Sequence, residues 1–485
     1  REKKRSNSEA MDATCKPHAI CVPFPLSTHI NSMLKFAKLL HHNGFHVTFV
    51  NAEFQHKSIL SAKGPNALDG LPDFRFESIA IDVPSSKPGS PDYFVSVREA
   101  IRKGFLSQFR SLVTKLNETE RPVTCLVSDG ASTHTVTLAE ELGIPAVLFW
   151  AVGANGVLSI NRHQELVRRC FAPKDESKAN DDLDATTDFF AGRKGIRMRD
   201  VPSIIQTKYS QEYILDVTVK EAERTSKASA IVIHTFEALE KHAMDELAST
   251  FRRVYSIGPL PLLLNQVTDR SSKNLVGGNI WQEEETCVQW LNSKKPNSVI
   301  YVSFGSTAVT TPEQITEFAW GLANSNVPFL WIIRTDVMAG ELSSILPPEF
   351  IEETKERGLI ASWCVQEQVL NHPATGGFLT HCGWNSVLES ICAGVPMICW
   401  PYFAEQMTNC RDVCNEWGLG IEIDKDVKRS QVEEAIVELL QGDRGKKIQE
   451  KAGYWKKVAQ EATEPHGLSS NNLDSLVNEV LLSKP

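Results

Sequence analysis

No stretch of this 485-residue chain is apolar for long enough to span a bilayer, which takes roughly 18 residues or more in one run. A basic excess is also missing. Lys and Arg number 51 against 60 Asp and Glu, a formal net charge of −9, which argues against nucleic acid as a partner because phosphate-gripping proteins show a basic face. The 11 cysteines run from Cys15 to Cys414 without a C-x-x-C pair. The nearest, Cys410 and Cys414, lie one helical turn apart with no histidines beside them, so reduced core thiols are expected rather than disulfides or a metal site. No Gly-x-Gly-x-x-Gly follows the first strand of either half, and Gly442 to Lys446 fails the P-loop spacing. Gly130-Ala131-Ser132-Thr133-His134 imitates a nucleophile elbow, but His134 stands where the second glycine belongs, which sets a serine hydrolase aside. Arg1 to Ala10 is basic and polar without an apolar signal core. It reads as an expression remnant ahead of Met11, and a cytoplasmic location is expected. The glycosylation pattern Asn117-Glu118-Thr119 is then a chance match.

What the chain does have is the makings of two α/β units. Its length exceeds a single core, and 42% hydrophobic with 23% charged residues is ordinary globular composition. His18 to Phe24 is a short apolar run ended by Pro25, a first buried strand. Ile30, Met33, Leu34, Ala37 and Leu40 follow at helical spacing until Gly44, and Val47 to Val50 makes a second strand. In this βαβ unit Leu26 to His29 occupies the carboxyl edge of a parallel sheet, where open α/β folds bind ligands. The alternation continues through strands at 123–127, 146–150, 231–235 and 254–257. After a polar stretch, Asn265 to Gly278, it resumes with strands at 299–304, 329–333 and 359–361. Thr311-Pro312-Glu313-Gln314 opens a helix with a capping box and proline at its first position. Segments 432–440 and 473–482 read as amphipathic helices. Two doubly wound domains are expected.

The densest stretch runs from Trp363 to Gln406. Gly377-Phe378-Leu379 reads as a strand, the polar cluster through Ser386 as a turn, and Val387 to Ala393 as a helix stopped by Gly394. A helix that begins after such a turn offers unpaired backbone N–H groups and a favourable dipole to an anion. Trp363, His381, Trp384 and Glu389 crowd the same stretch, which points to a ligand with a phosphate, a ring and hydroxyls. Trp363 is either core or a face for stacking on a base. Glu389 is either a solvated helix carboxylate or the acceptor for a ribose diol. In the first half, His29 is either a capping or surface histidine or a base aimed into the cleft. Asp129, at the end of another strand of that sheet, is placed to fix its tautomer.

Trp363-Cys-Val-Gln-Glu-Gln-Val-Leu-Asn-His-Pro through His381-Cys-Gly-Trp-Asn-Ser to Glu405-Gln406 resembles the signature box of plant family-1 UDP-sugar-dependent glycosyltransferases. These have the GT-B architecture, two Rossmann-like domains facing across a cleft. The similarity extends from Lys16 onward and includes the Ser128-Asp129 turn and Phe304-Gly305-Ser306. The resemblance implies that Trp363 stacks on uracil, that Gln366 and the backbone at Cys364 meet the base and ribose, and that Glu389 holds the ribose. His381, Gly383, Asn385, Ser386, Ser306 and Thr307 would cradle the diphosphate, and Trp384, Glu405 and Gln406 would contact the sugar. Gln406 favours glucose. His29 would be the general base and Asp129 its orienting partner, in an inverting transfer that needs no metal and no cofactor beyond the donor, UDP-glucose.

By the same resemblance the acceptor is a small hydrophobic plant metabolite, a flavonoid, other phenolic or terpenoid. Its pocket would be built from Phe24, Leu26, Trp150, Phe403 and the loops around 85–105 and 180–205. The expected organisation is an acceptor domain over 11–258, a linker over 259–280, a donor domain over 281–462, and a terminal segment, 463–485, crossing back to the first domain. A monomer is expected. Transfer of another UDP-sugar, extension of an existing glycoside, and a UDP-sugar-binding protein without catalysis are the alternatives. The chain departs from the family pattern at Thr28, where glycine is usual, at Ser32, where proline is usual, and at Ala151, where many relatives carry threonine.

Overall fold

A computed structural model describes residues 16–82, 86, 93–162, 165, 186–187, 195–203, 221, 223–267, 286–305, 310–333 and 346–483. The first half contains β1 (His18–Val22), α1 (Ser27–His42), β2 (His46–Ala52), β3 (Phe74–Ile79), α2 (Tyr93–Asn117), β4 (Cys125–Asp129), β5 (Ala146–Trp150), β6 (Ala230–Ile233) and β7 (Val254–Ser256). These strands form one sheet in the order β3-β2-β1-β4-β5-β6-β7, and each pairing is parallel. After α3 (Leu260–Gln266), the second half supplies β8 (Val299–Ser303), β9 (Phe329–Ile332), β10 (Gly358–Ala361), β11 (Thr375–Thr380), α4 (Trp384–Ala393), β12 (Met397–Cys399) and β13 (Gly420–Glu422). Its parallel sheet runs β10-β9-β8-β11-β12-β13.

Parallel strands are covered by helices on both faces, which explains why His18–Val22 and Ala146–Trp150 are buried at every position. Side chains on the two faces of β5 go to different cores: Val147 and Phe149 to one, Ala146 and Leu148 to another. Each fully buried large apolar side chain contributes about 1.5–3 kcal/mol, so the strand ends are held firmly. Strand order reverses direction between β1 and β4 in the first sheet and between β8 and β11 in the second. At such switch points the connections leave to opposite faces and open a crevice at the carboxyl edge.

Several boundaries differ from the sequence expectation. α1 starts at Ser27, and the Ile30 N–H already donates to the Leu26 carbonyl at 2.9 Å. Thr28 and His29 therefore lie in the first helical turn rather than in the preceding loop. Within the expected 85–105 loop, the part from Tyr93 is helical because Tyr93, Val97, Ile101, Phe105 and Phe109 bury one stripe. Of the expected 180–205 loop, only 186–187 and 195–203 fall within the described residues. The segment expected as a linker over 259–280 begins with α3, whose Leu260 and Leu263, with Val267, join the core of the first half; 268–280 lies outside the described residues. At the other end, α5 (Leu468–Leu476) and the turn after it put Leu473, Leu476, Val477, Val480 and Leu481 into that same core. Ser469 Oγ donates to the Gly258 carbonyl at 2.6 Å, and Asn472 Nδ2 to that of Ser256 at 3.0 Å. No helix among the described residues is long and apolar enough to cross a membrane.

Candidate active site

The second-half crevice is built by β11 and the turn into α4. Cys382 takes a positive φ of 64°, Gly383 caps the helix without a side-chain bond, and Gly394, at φ 71°, ends it. The first intrahelical bond at this end is Val387 N–H to the Gly383 carbonyl, 3.0 Å. The N–H groups of Trp384, Asn385 and Ser386 thus lack intrahelical acceptors and, with the helix dipole, form a site for an anion. The His381 ring is buried between two glycines: a Cβ on Gly305 or on Gly383 would lie 2.5 Å from a ring atom. Burial lowers the His381 pKa to about 4, so the ring is a neutral group at physiological pH.

Further along α4, Gln366 Nε2 donates to Ser386 Oγ at 2.9 Å and to Glu389 Oε2 at 2.7 Å. Its own Oε1 accepts from the Tyr301 hydroxyl at 3.2 Å, and that hydroxyl is 3.4 Å from Cys364 Sγ. Trp363 is half-buried beside them. Base-sized and diol-sized features, Trp363 and Glu389, thus flank one rigid polar network. Burial raises the Glu389 pKa, opposed by the nearby Lys35 ammonium.

Two of the three side chains expected at the sugar are engaged within the protein. The Trp384 ring is buried, its Nε1–H donates to the His234 carbonyl at 2.7 Å, and a Cβ on Gly153 would sit 2.8 Å from it. What Trp384 offers a ligand is its backbone N–H. Gln406 Oε1 accepts the N–H groups of Tyr402 and Phe403, both at 2.9 Å, so only its amide NH₂ is left to reach a sugar. Glu405 and Phe403 are half-buried at the same edge. Ser306 and Thr307 lie outside the described residues.

In the first half, the switch point between β1 and β4 brings His29 and Asp129 together, with Nδ1 2.8 Å from Oδ2. Asp129 is fully buried, and its other oxygen accepts the Ala131 N–H at 2.9 Å. A carboxylate facing Nδ1 assigns the proton there and leaves the Nε2 lone pair as a base. Burial disfavours protonation of this ring, but the Asp129 charge and hydrogen bond, with Glu405 behind them, outweigh it and raise the pKa. Phe24, whose ring centre is 5.5 Å from that of His29, is wholly buried against Phe94, and Leu26 packs beside the same cluster. Trp150, expected in the acceptor pocket, is 9% exposed, packs with Val157, Ile231, Ile233 and Met244, and lies so close against Gly130 that any side chain there would collide with its ring. Its place is beside a small cavity shared with Gly130, Thr133 and Val157.

The two crevices meet through helix faces that sequence reasoning missed. Thr28, Ser32 and Lys35 fall on one face of α1, and Asn385 and Glu389 on one face of α4. Ser32 Oγ is 2.9 Å from Asn385 Oδ1, Asn385 Nδ2 donates to the Thr28 carbonyl at 3.0 Å, and Lys35 Nζ is 3.4 Å from Glu389 Oε1 while also bonding Glu367. The available signal was three polar residues at positions i, i+4 and i+7 of a helix whose other face is apolar. The fold also gathers thiols that are remote in sequence: Cys382, Cys399 and Cys410 lie within 4.8 Å of one another and are all buried. Burial pushes the Cys382 and Cys399 thiols well up, which favours them as apolar packing groups.

Residues 106–449 match the family model described as UDP-glucoronosyl and UDP-glucosyl transferase. The chain is 51% identical over 481 residues to 7-deoxyloganetin glucosyltransferase from Catharanthus roseus, covering 98% of each. It is 49% identical to (R)-mandelonitrile beta-glucosyltransferase from Prunus dulcis, covering 96% of this chain and 98% of that one. Among solved structures, Phytolacca americana UGT2 complexed with UDP-2fluoro-glucose and pterostilbene is similar over 96% of this chain and 99% of that one, with a TM-score of 0.76 and 27% identity.

Proposed function

The chain belongs to the UDP-glucoronosyl and UDP-glucosyl transferase family, and on that premise we propose that it transfers glucose from UDP-glucose, with inversion, to a hydroxyl of a small hydrophobic plant metabolite. The observation that carries the mechanism is the 2.8 Å pairing of His29 with buried Asp129, on a helix whose polar face meets the anion-binding end of α4. In this reading the His29 Nε2 takes the acceptor proton, and the acceptor oxygen attacks the anomeric carbon from the side opposite UDP. The bond from that carbon to the diphosphate oxygen breaks as the new glycosidic bond forms, turning an α-linked donor into a β-glucoside. Negative charge grows on the departing diphosphate, where the N-terminus of α4 and neutral His381 stand as fixed donors. Asp129 stabilises the imidazolium. Uracil rests on Trp363, the ribose on Glu389, and the glucose near Glu405, the Gln406 amide and the Trp384 N–H. No metal and no further cofactor enter the scheme.

The named relatives act on 7-deoxyloganetin and (R)-mandelonitrile. A terpenoid or aromatic alcohol is accordingly the acceptor class we favour, with flavonoids as the comparison set. The intact His29–Asp129 pair favours a catalyst over a protein that only binds UDP-sugars. The test is an assay of UDP-glucose and competing UDP-sugars against terpenoid alcohols, cyanohydrins, phenols and flavonoids, with products detected by mass. His29→Ala is expected to lower turnover by about 10² to 10⁴ while UDP still binds. Retained turnover in that variant would overturn the assignment of the base.

A further inference from the structure

We propose that Lys35, a residue of the first half, is a positioning residue of the donor site, its ammonium holding the Glu389 carboxylate ready for the ribose of the UDP-sugar. The inference rests on the reading above that Glu389 receives the ribose diol. It adds a contribution from the half of the molecule assigned to the acceptor.

Glu389 stands one turn beyond Asn385 on α4, and only 12% of its side chain is exposed. Two groups hold its carboxylate. From its own half, Gln366 Nε2 bonds Oε2 at 2.7 Å; from the other, Lys35 Nζ approaches Oε1 at 3.4 Å. A diol needs two acceptors in fixed positions, which an ionised carboxylate supplies and a protonated one does not. Burial and the nearby Glu367 charge favour the protonated form of Glu389, and Lys35 with the Gln366 hydrogen bond opposes it. Burial disfavours the charge on Lys35, but Glu367 and Glu389 together outweigh it and hold its pKa above the usual lysine range. The remaining charged or titratable neighbours of the ammonium fit this role. His234 is driven down to about 3 by burial and by Lys35, and stays neutral. Lys38, one turn on along α1, is lowered to about 8 by burial and by the same ammonium. Glu367, 37% exposed against 12% for Glu389, is the solvent-side anchor of the cation, and Glu389 the buried arm it serves.

The geometry also ties donor binding to apposition of the halves. Ser32 and Lys35 are three residues apart on α1, Asn385 and Glu389 four apart on α4, and both pairs are joined. A donor that uses Glu389 therefore binds best when α1 lies against α4, which is also the arrangement that brings His29 to the anomeric carbon.

The experiment titrates the purified enzyme and its Lys35→Met and Lys35→Arg variants with UDP and 2′-deoxy-UDP, and measures steady-state kinetics with UDP-glucose and one productive acceptor. The expected result is that the wild-type enzyme prefers UDP. Lys35→Met should then weaken UDP binding about tenfold, shrink the preference over 2′-deoxy-UDP, and raise KM for UDP-glucose with little change in kcat at saturating donor. Lys35→Arg should restore much of each. Lys35→Gln, with the same expectations, replaces methionine if that variant does not fold. Unchanged or tighter UDP binding in Lys35→Met overturns the proposal, because Lys35 would then compete with the ribose. An equal loss for both nucleotides overturns it as well, in favour of a general structural role. A wild-type enzyme that binds both nucleotides alike overturns the ribose reading of Glu389 itself, and the Lys35 role with it.

Discussion

Helices α1 and α4 stand in matching places, each following a central strand of its sheet at the point where strand order reverses, yet they present different chemistry to the cleft. At its N-terminus α4 presents main chain. Its unpaired N–H groups, the glycine at its cap and a buried neutral histidine leave little that a side-chain rotation could disturb. α1 presents side chains: His29 in the first turn, then Ser32 and Lys35 on the face turned to the other half. Backbone donors suit a ligand part that never varies, such as a diphosphate. Side chains suit a proton transfer, where the pKa must be tuned by neighbours such as Asp129. The start of α4 is thus a main-chain anion site, while α1 turns side chains to the cleft, Lys35 toward Glu389 among them.

Three substitutions sharpen or break that contrast. The largest effect is expected from Gly383→Ala. Its methyl group would press on the His381 ring, 2.5 Å away, and shift the donor cradle, raising KM for UDP-glucose about a hundredfold while KM for the acceptor stays put. If both constants rise together, the two edges are not the separate devices described above. Next comes Asp129→Asn. With the carboxylate that raises the His29 pKa removed, the imidazole loses its proton at lower pH. The acid limb of the kcat/KM profile should therefore move to lower pH, and turnover on the plateau should fall about tenfold. A profile with an unmoved acid limb would mean that His29 is not the group titrating. Smallest is Ala151→Thr, which supplies a hydroxyl at the end of β5. It should lower KM for UDP-glucose roughly threefold; no change in KM or turnover would show that this position does not face the glucose.

Much of this was legible in the sequence because parallel sheets write themselves as apolar runs separated by helical stripes. The anion site at the start of α4 was legible because a turn, a glycine and a helix start are local features. His29 with Asp129 could be paired because one opens the helix after β1 and the other ends β4, and the pairing of β1 with β4 brings them together. What stayed hidden depends on which way a side chain turns once the sheets are packed. Trp150 and Trp384 share the polar neighbourhood of a binding site, yet Gly130 and Gly153 draw their rings inward. Nothing in the local sequence marks Lys35, since its partners Glu367 and Glu389 are more than 300 positions away. The thiols of Cys382, Cys399 and Cys410 looked scattered for the same reason. Their meeting is a property of the second sheet and not of any spacing along the chain.

The packing of α5 on the first half has a mechanical consequence. Among the described residues the polypeptide leaves the first half at the end of α3 and returns between Thr463 and Leu468, and these two points lie together where Gln266 Nε2 donates to the Thr463 carbonyl at 2.5 Å. A single tether would let one half swivel and slide against the other. A doubled one acts like a sewn spine that resists swivel and shear, so any parting of the halves would bring His29 back to the same alignment with the start of α4. Turnover can then release a bulky glucoside and still re-form the reacting geometry without searching for it.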